Sequence, residues 1–90
     1  MAELSSSYDE IRKNLNTDKL IIGTEKTLKL LRQGKLSKVF LSKNAASDTV
    51  ADVEHYATLS KVEVVHLDVP NDDLGGICKK PFNISVLGLM

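Results

Sequence analysis

A junction near the start of the chain combines residue types that could bind a negatively charged ligand. The apolar run Leu20 to Ile22 is typical of a short buried strand, and Gly23 follows it directly. A helical pattern then begins, with Thr24 as a candidate N-cap, because its hydroxyl can accept a hydrogen bond from an early helical N–H. A helix N-terminus attracts anions, and a glycine lets a ligand approach closely. The junction is therefore either a site for phosphates or base edges, or a plain turn between a strand and a helix.

Cationic side chains follow the junction along the same predicted helix. Leu28 and Leu31 recur three residues apart on one face, whereas Lys26, Lys29 and Arg32 lie elsewhere on the helix surface. Because the lysines lie within about one helical turn of the junction, they could pair with the phosphates of a ligand that is bound there.

Positive and negative charges are segregated along the chain, although the formal net charge at pH 7 is zero. Residues 19–43 contain seven basic residues and one acidic residue, Glu25. Residues 44–78 contain seven acidic residues and one basic residue, Lys61. This pattern fits two solvated helix faces of opposite sign, and it equally fits a basic surface for a polyanion with the acidic part turned away.

Length and composition predict a single domain, residues 1–90, in a reducing intracellular compartment. The chain has 42% hydrophobic and 27% charged residues, which is ordinary for a soluble globular protein. Its apolar stretches are too short for a membrane span, and residues 1–7 lack the pattern of a secretory signal. The single cysteine, Cys78, excludes an internal disulfide.

The apolar spacing predicts four helices that alternate with four strands. The first helix is indicated by Leu4, Tyr8, Ile11 and Leu15, with Ser5 to Ser7 as candidate caps. The other helices are predicted from about Glu25 to Gln33 with Gly34 as the stop, from Ser47 or Asp48 onwards, and from Asp72 to Cys78. The predicted strands are Leu20 to Ile22, Val39 to Leu41, Val62 to Leu67 and Ile84 to Leu89. This order implies an α/β fold, a three-layer α/β/α sandwich around a small mixed four-stranded sheet.

The residues that most often carry catalysis or bind metals are not arranged in a recognised pattern. His55 and His66 have no cysteine, second histidine or carboxylate at a ligand spacing. Cys78 is typical of a small buried residue, and the pair Gly75 and Gly76 favours close packing of a short helix. We therefore expect no enzyme active site, no metal, no cofactor and no small-molecule substrate.

Four segments of the chain carry a resemblance to known proteins. They are Ile22 to Lys29, Leu31 to Lys35, Tyr56 to Lys61, and Leu74-Gly75 together with Lys79 to Phe82. In their order and spacing they resemble the kink-turn RNA-binding ribosomal protein superfamily, of the L7Ae, L30e and S12e type, and most closely its L30e branch. The resemblance covers residues 15–90 and implies the α/β/α sandwich. It also implies recognition of a kink-turn, a sharply bent duplex with a bulge and tandem sheared G·A pairs.

The resemblance assigns RNA-binding roles to residues around the strand–helix junction. Gly23 would let the helix start approach the RNA, and Glu25 and Lys26 would face the G·A pairs. A glutamate can accept from the N1 and N2 edge of guanine, and a lysine can donate to its O6 or N7. Thr27 and Lys29 would contact the RNA backbone or base edges. The implied RNA-binding set is Gly23, Thr24, Glu25, Lys26, Thr27, Lys29, Arg32, Asn44 and Phe82.

Two members of this set lie in predicted loops. Phe82 would pack against a base flipped out of the bulge, as aromatic side chains commonly do in RNA-binding proteins. Its alternative role is that of a core phenylalanine beside a proline. Asn44 could reach the bulge, and its alternative role is that of a simple cap or turn residue.

The partner that the resemblance implies is structured RNA, either ribosomal RNA or another kink-turn RNA. The protein would then be a cytoplasmic structural component of the large ribosomal subunit, or a close paralogue, with other ribosomal or ribonucleoprotein subunits as further candidate partners and no membrane partner. Two alternatives stay open. The first is a kink-turn protein of a guide-RNA or RNA-processing ribonucleoprotein, and the second is a protein-interaction module that has the same fold but binds no RNA.

Overall fold

Helices and strands alternate in the part of the chain that the computed structural model describes, which is residues 2–15 and 17–90, with the backbone alone described for residues 2–7. Within this part the helices are α1 (Ala2–Lys13), α2 (Thr24–Arg32), α3 (Ser47–Ser60) and α4 (Asn71–Ile77). The strands are β1 (Leu20–Ile22), β2 (Lys38–Leu41), β3 (Glu63–His66) and β4 (Val86–Leu89). The predicted alternation is confirmed. None of the described helices combines the length and the apolar character that crossing a membrane requires.

The strands form one mixed sheet in the order β1-β4-β2-β3. Strand β2 is parallel to β3, whereas β4 is antiparallel to both of its neighbours, β1 and β2. Strands β1, β2 and β3 therefore all end at the same edge of the sheet, at Ile22, Leu41 and His66, and we call this the loop edge. Ligands of open α/β sheets commonly bind outside the carboxyl ends of the strands, so the loop edge is the first place to look for a site.

Helices cover both faces of the sheet. On one face, Ile11 of α1 and Leu74 of α4 pack in a buried cluster around Phe40 of β2. On the other face, Leu31 of α2 and Val53 of α3 belong to a second buried cluster. Successive strand residues point to opposite faces, so the sheet supplies both clusters. This confirms the three-layer α/β/α sandwich.

Helix α1 begins earlier than predicted. It starts at Ala2, so Ser5 to Ser7 lie inside the helix and the prediction that they cap it is wrong. Alanine, glutamate and leucine at the start of the chain are good helix formers, which explains the extension. The side chains of Leu4 and of the serines lie outside the described residues. A hydrogen bond also joins α1 to the segment after β3, since the Tyr8 hydroxyl donates to Asp68. Burial together with this bond raises the pKa of Tyr8.

A half-buried ion pair joins α1 to the sheet. The ammonium group of Lys38 in β2 lies 2.8 Å from a carboxylate oxygen of Glu10. The hydrogen bond to Glu10 raises the pKa of Lys38. The pair fixes one end of β2 against the helix layer that also carries α4.

The end of α2 and the start of α3 differ in how well they were predicted. Gly34 has a φ of 71° and donates its N–H to the carbonyl of Leu31 at 3.0 Å, and Lys35 donates to Leu30 at 3.0 Å. This pair of bonds is a Schellman motif, which confirms Gly34 as the stop.

The N-cap of α3 is Ala46 without a side-chain cap, so the predicted capping by Ser47 or Asp48 at that position is wrong. Asp48 instead accepts the N–H of Thr49 at 2.9 Å from within the first turn.

Candidate nucleic-acid interface

Gly23 makes the turn from β1 into α2. It is the N-cap of α2, with a φ of 117° and a ψ of 145°, a conformation that is essentially restricted to glycine. Its N–H donates to the carbonyl of Val86 at 3.3 Å, and its own carbonyl accepts the N–H of Thr27 at 3.1 Å. The prediction that Thr24 is the N-cap is therefore wrong. Thr24 is the first helical residue, because the reversal needs a backbone conformation that a threonine rarely adopts.

The first turn of α2 presents unpaired backbone donors to solvent. Among the described residues, the N–H groups of Thr24, Glu25 and Lys26 have no acceptor, and no side chain caps the helix. A Cβ atom built on Gly23 would meet nothing within 4 Å, so the space in front of the turn is open. These N–H groups can donate hydrogen bonds to phosphate oxygens or to the acceptor atoms on base edges.

The residues at the start of β4 are bonded to two different loops at the loop edge. The N–H of Ser42, which follows β2, donates to the carbonyl of Ser85 at 2.9 Å. On the other side, Gly23 donates to Val86, the next residue along. Adjacent strands lie about 4.8 Å apart, so Gly23 and Ser42, on either side of β4, lie about 10 Å from each other. The strand–helix junction and the loop after β2 therefore face the same ligand space.

Asn44 connects the loop after β2 to the start of α4. Its side-chain oxygen accepts the backbone N–H of Asn71 at 2.8 Å and the hydroxyl of Ser42 at 3.3 Å. Asn71 in turn accepts the N–H of Ile84 at 3.0 Å through its carbonyl. Asn44 thus caps α4, which supports the structural role that the sequence left open, while its contact with RNA stays a prediction. Asn71 was missed, because an asparagine that is bonded across loops has no local sequence signal.

Phe82 lies at the surface. The residue is 54% exposed, so the alternative role as a core phenylalanine is wrong. The backbone of Phe82 rests on Gly75 of α4, where a Cβ atom would overlap the Phe82 carbonyl oxygen. The predicted close packing is confirmed for Gly75, whereas a Cβ atom on Gly76 would meet open space. The loop that follows α4 therefore holds an exposed aromatic ring on a firmly packed backbone.

The side chain of Thr27 cannot reach a ligand at the surface. It is fully buried, and its methyl group lies 3.1 Å from the position that a Cβ atom on Gly88 would occupy. Its hydroxyl has no hydrogen-bond partner among the described residues. This corrects the expectation of a direct RNA contact through Thr27. The reason is helical geometry, since Thr27 precedes the buried Leu31 by four residues and shares its inner face.

The charged members of the predicted set lie on the outer surface of α2. The side chains of Glu25, Lys26 and Lys29 are exposed, and neither lysine has an ion-pair partner among the described residues. Arg32 is also exposed, but its guanidinium lies 5.7 Å from the ring centroid of Tyr56 in α3. This cation–π contact gives Arg32 a packing role between the two helices in addition to its positive charge.

The acidic part of the chain is not turned away as a whole. Asp72 and Asp73 are exposed in the first turn of α4, which Asn44 joins to the loop edge. Both carboxylates suit the positive end of the helix dipole. Helix α4 therefore contributes negative charge to the same edge of the sheet at which α2 begins.

Sequence comparisons find relatives along almost the whole chain. Residues 5–90 match the model of a family described as the ribosomal protein L7Ae/L30e/S12e/Gadd45 family. The large ribosomal subunit protein eL30 of Sulfurisphaera tokodaii is 32% identical over 90 residues, which is 100% of this chain and 85% of the relative. The protein of the same name from Trypanosoma brucei brucei is 37% identical over 75 residues, which is 83% of this chain and 71% of the relative.

A solved structure with the same fold comes from Giardia lamblia, where it is described as a 15.5kD RNA binding protein. The two structures superpose with a TM-score of 0.78 at 21% identity, over 97% of this chain and 73% of the other. At this level of identity the likeness shows a shared fold alone.

Proposed function

The chain belongs to the ribosomal protein L7Ae/L30e/S12e/Gadd45 family, and from this membership we propose that it is a non-catalytic protein that binds and stabilises kink-turn RNA. Relatives that match most of the chain are named as large ribosomal subunit proteins eL30. We therefore assign it to the large ribosomal subunit in the cytoplasm, as a structural component whose partner is ribosomal RNA.

The observation that carries the proposal is the start of α2. Gly23 leaves open space in front of three unpaired backbone N–H groups, and exposed Lys26 and Lys29 follow in the first and second turns of the helix. Sheared G·A pairs present unpaired acceptor edges, and a bent duplex brings phosphates close together. A surface with fixed backbone donors and mobile cations suits both features.

Phe82 supplies the second element of the proposed mode of binding. The residue is 54% exposed, and Ile84, two residues later, is bonded to Asn71 at the loop edge. A base that is flipped out of a bulge loses its stacking partners, and an aromatic face restores part of that stacking. We propose that Phe82 receives this base while the start of α2 binds the G·A pairs.

The proposed mechanism is a shift of the RNA population towards the bent form. The protein would contact both the G·A pairs and the bulge only when the duplex is kinked, so it would bind the kinked state more tightly than the extended one. No covalent chemistry is needed, and Glu25 serves as an acceptor for a guanine edge.

The test is a gel shift at moderate salt with two RNAs. The first contains a kink-turn, and the second is the same duplex with its G·A pairs replaced by Watson–Crick pairs. We expect tight binding to the first RNA only. Equal binding to both would reduce the interaction to non-specific charge, and binding to neither would limit the family relationship to the fold.

A further inference from the structure

A groove between α2 and the edge strand β1 continues the basic surface past the predicted site. Its volume is about 400 Å³, and it is lined by Ile21, Lys26, Lys29, Leu30, Gln33 and Lys35. The lining combines two aliphatic side chains, three lysines and one amide, and contains no carboxylate. Strand β1 is at the end of the sheet order, so no other strand covers the groove on that side.

Lys35 is held at the far end of this groove by the end of α2. Its backbone N–H donates to the carbonyl of Leu30 at 3.0 Å, in the Schellman motif that Gly34 completes. The chain therefore turns back beside Leu30 instead of continuing the helix. Because the helix ends at Arg32, the six residues from Lys26 to Arg32 advance about 9 Å along its axis, and Lys35 lies near that end.

The three lysines of the groove are available to a ligand. Lys26, Lys29 and Lys35 are exposed, and none of them forms an ion pair with a carboxylate of residues 8–15 and 17–90, whose side chains the structure describes. Three neighbouring cations without a counterion repel one another. An anion that contacts all three removes this repulsion and is attracted by each of them. A polyanion that follows the groove satisfies this arrangement better than a single small anion does.

We propose that this groove holds the sugar–phosphate backbone of one RNA strand where a stem leaves the G·A pairs, an inference that rests on the proposed function. Ile21 and Leu30 would contact riboses, and the lysines would neutralise successive phosphates. The amide of Gln33 would donate to a phosphate oxygen or to a 2′-hydroxyl. Lys26 belongs both to the predicted site and to this groove, so the two surfaces are continuous.

An acidic peptide added to the edge of β1 is the other occupant with suitable charge. Strand β1 is only three residues long, which leaves few backbone groups for strand addition. An RNA strand needs no such pairing, because its phosphates are read by the lysines. The observations therefore favour RNA.

The test compares Lys35→Gln with Lys61→Gln, which removes an exposed lysine at the end of α3. Affinity for a kink-turn RNA is measured at several salt concentrations, and again with RNAs in which one or the other stem is shortened close to the G·A pairs. We expect Lys35→Gln to weaken binding about threefold to tenfold and to lower the salt slope by about one phosphate contact. We also expect this loss to vanish when one particular stem is shortened. Lys61→Gln should change neither quantity.

Four outcomes overturn the inference. If the wild-type protein binds the kink-turn RNA and Lys35→Gln changes neither affinity nor salt slope, the groove is unused and the proposed function stands. If the loss is the same with either stem shortened, Lys35 acts only through overall charge. If Lys35→Gln weakens binding of a polyglutamate peptide and leaves RNA binding unchanged, the groove is a peptide site. A wild-type protein that binds no kink-turn RNA refutes the proposed function itself, and the inference with it.

Discussion

Gly75 of α4 packs so closely under the backbone of Phe82 that a Cβ atom on the glycine would overlap the Phe82 carbonyl oxygen. The Phe82 carbonyl carbon would lie 3.2 Å from this added Cβ atom, which is also too close for ordinary packing. The exposed ring of Phe82 is thus positioned through its backbone by a helix of seven residues. Because Gly75 has only a hydrogen atom at this position, the backbone of Phe82 can lie directly against α4. This contact positions Phe82 at the loop edge.

This contact predicts opposite effects for two neighbouring glycines. Gly75→Ala should lower the free energy of unfolding by about 1–3 kcal/mol, because the added methyl group must displace backbone atoms. Gly76→Ala should leave it unchanged or raise it by up to about 1 kcal/mol, since alanine favours a helix and the space is open. Urea unfolding followed by circular dichroism measures both. Equal destabilisation by the two variants would contradict the packing described for Gly75.

Replacing Phe82 should affect RNA binding and leave stability nearly intact. Phe82→Ala removes the ring of a residue that is 54% exposed, so we expect a change in unfolding free energy within about 0.5 kcal/mol. Stacking of a base on an aromatic ring contributes about 1–3 kcal/mol, so affinity for a kink-turn RNA should fall roughly tenfold to a hundredfold. Phe82→Tyr should retain most of the affinity. Leu59→Ala is the matched control, since Leu59 is 68% exposed on α3, and a loss of affinity there would show that exposed apolar surface in general matters.

The local elements could be predicted from the sequence because their signals are local. Strand β1 has the predicted bounds, and Gly34 ends α2 as its position indicated. The place of β4 between β1 and β2 could not be predicted, because pairing between distant strands leaves no mark on either segment. The convergence of Gly23 and Ser42 on the start of β4 depends on that pairing, so the candidate site could be named residue by residue but not assembled.

Thr27 shows where residue type misleads. The apolar pattern of α2 placed Leu28 and Leu31 on the inner face, and a threonine was taken for a surface residue. In the structure Thr27 is fully buried while Leu28 is half-buried. The face of α2 that packs against the sheet therefore contains Thr27 and Leu31, and Leu28 lies at its border. Its hydroxyl is a buried donor without a partner among the described residues, a costly feature that no sequence pattern indicates.

Thr27→Val should therefore be neutral or stabilising. Valine keeps the shape of threonine and removes a hydroxyl that makes no hydrogen bond within the described residues, so we expect an increase in unfolding free energy of up to about 1 kcal/mol. RNA affinity should not change, because the side chain is buried. Thermal unfolding and a gel shift of the same variant test both statements. A loss of affinity in a stably folded Thr27→Val protein would restore the hydroxyl as an RNA contact.

The pair of Lys38 and Glu10 predicts a loss of stability at alkaline pH. The hydrogen bond to Glu10 raises the pKa of Lys38 in the folded state. A lysine with a raised folded pKa contributes stability that is complete below its unfolded pKa of about 10.4, and this stability is lost as pH rises through the folded pKa. Glu10→Gln should reduce this loss by a few tenths of a kcal/mol to about 1 kcal/mol, since the two side chains are only 23% and 34% exposed.

Urea unfolding between about pH 8 and 11 measures this dependence. Tyr8 also has a raised pKa and titrates in the same direction, but Glu10→Gln leaves its bond to Asp68 in place. The difference between the variant and the wild-type protein therefore isolates the ion pair. Identical alkaline slopes for both proteins would mean that the pair contributes nothing to stability.

Gly23 and Gly34, at the two ends of α2, separate a role in RNA binding from a role in the turn. Both have positive φ, 117° and 71°, and a Cβ atom on either would meet nothing within 4 Å. Each substitution by alanine should therefore lower the free energy of unfolding by about 1–3 kcal/mol through backbone strain alone. Gly23→Ala should in addition weaken kink-turn binding, because the methyl group occupies the space in front of the unpaired N–H groups. Gly34→Ala should weaken binding less, through the position of Lys35 alone, and an equal loss of affinity in the two variants at matched folded fraction would make Gly23 a turn residue only.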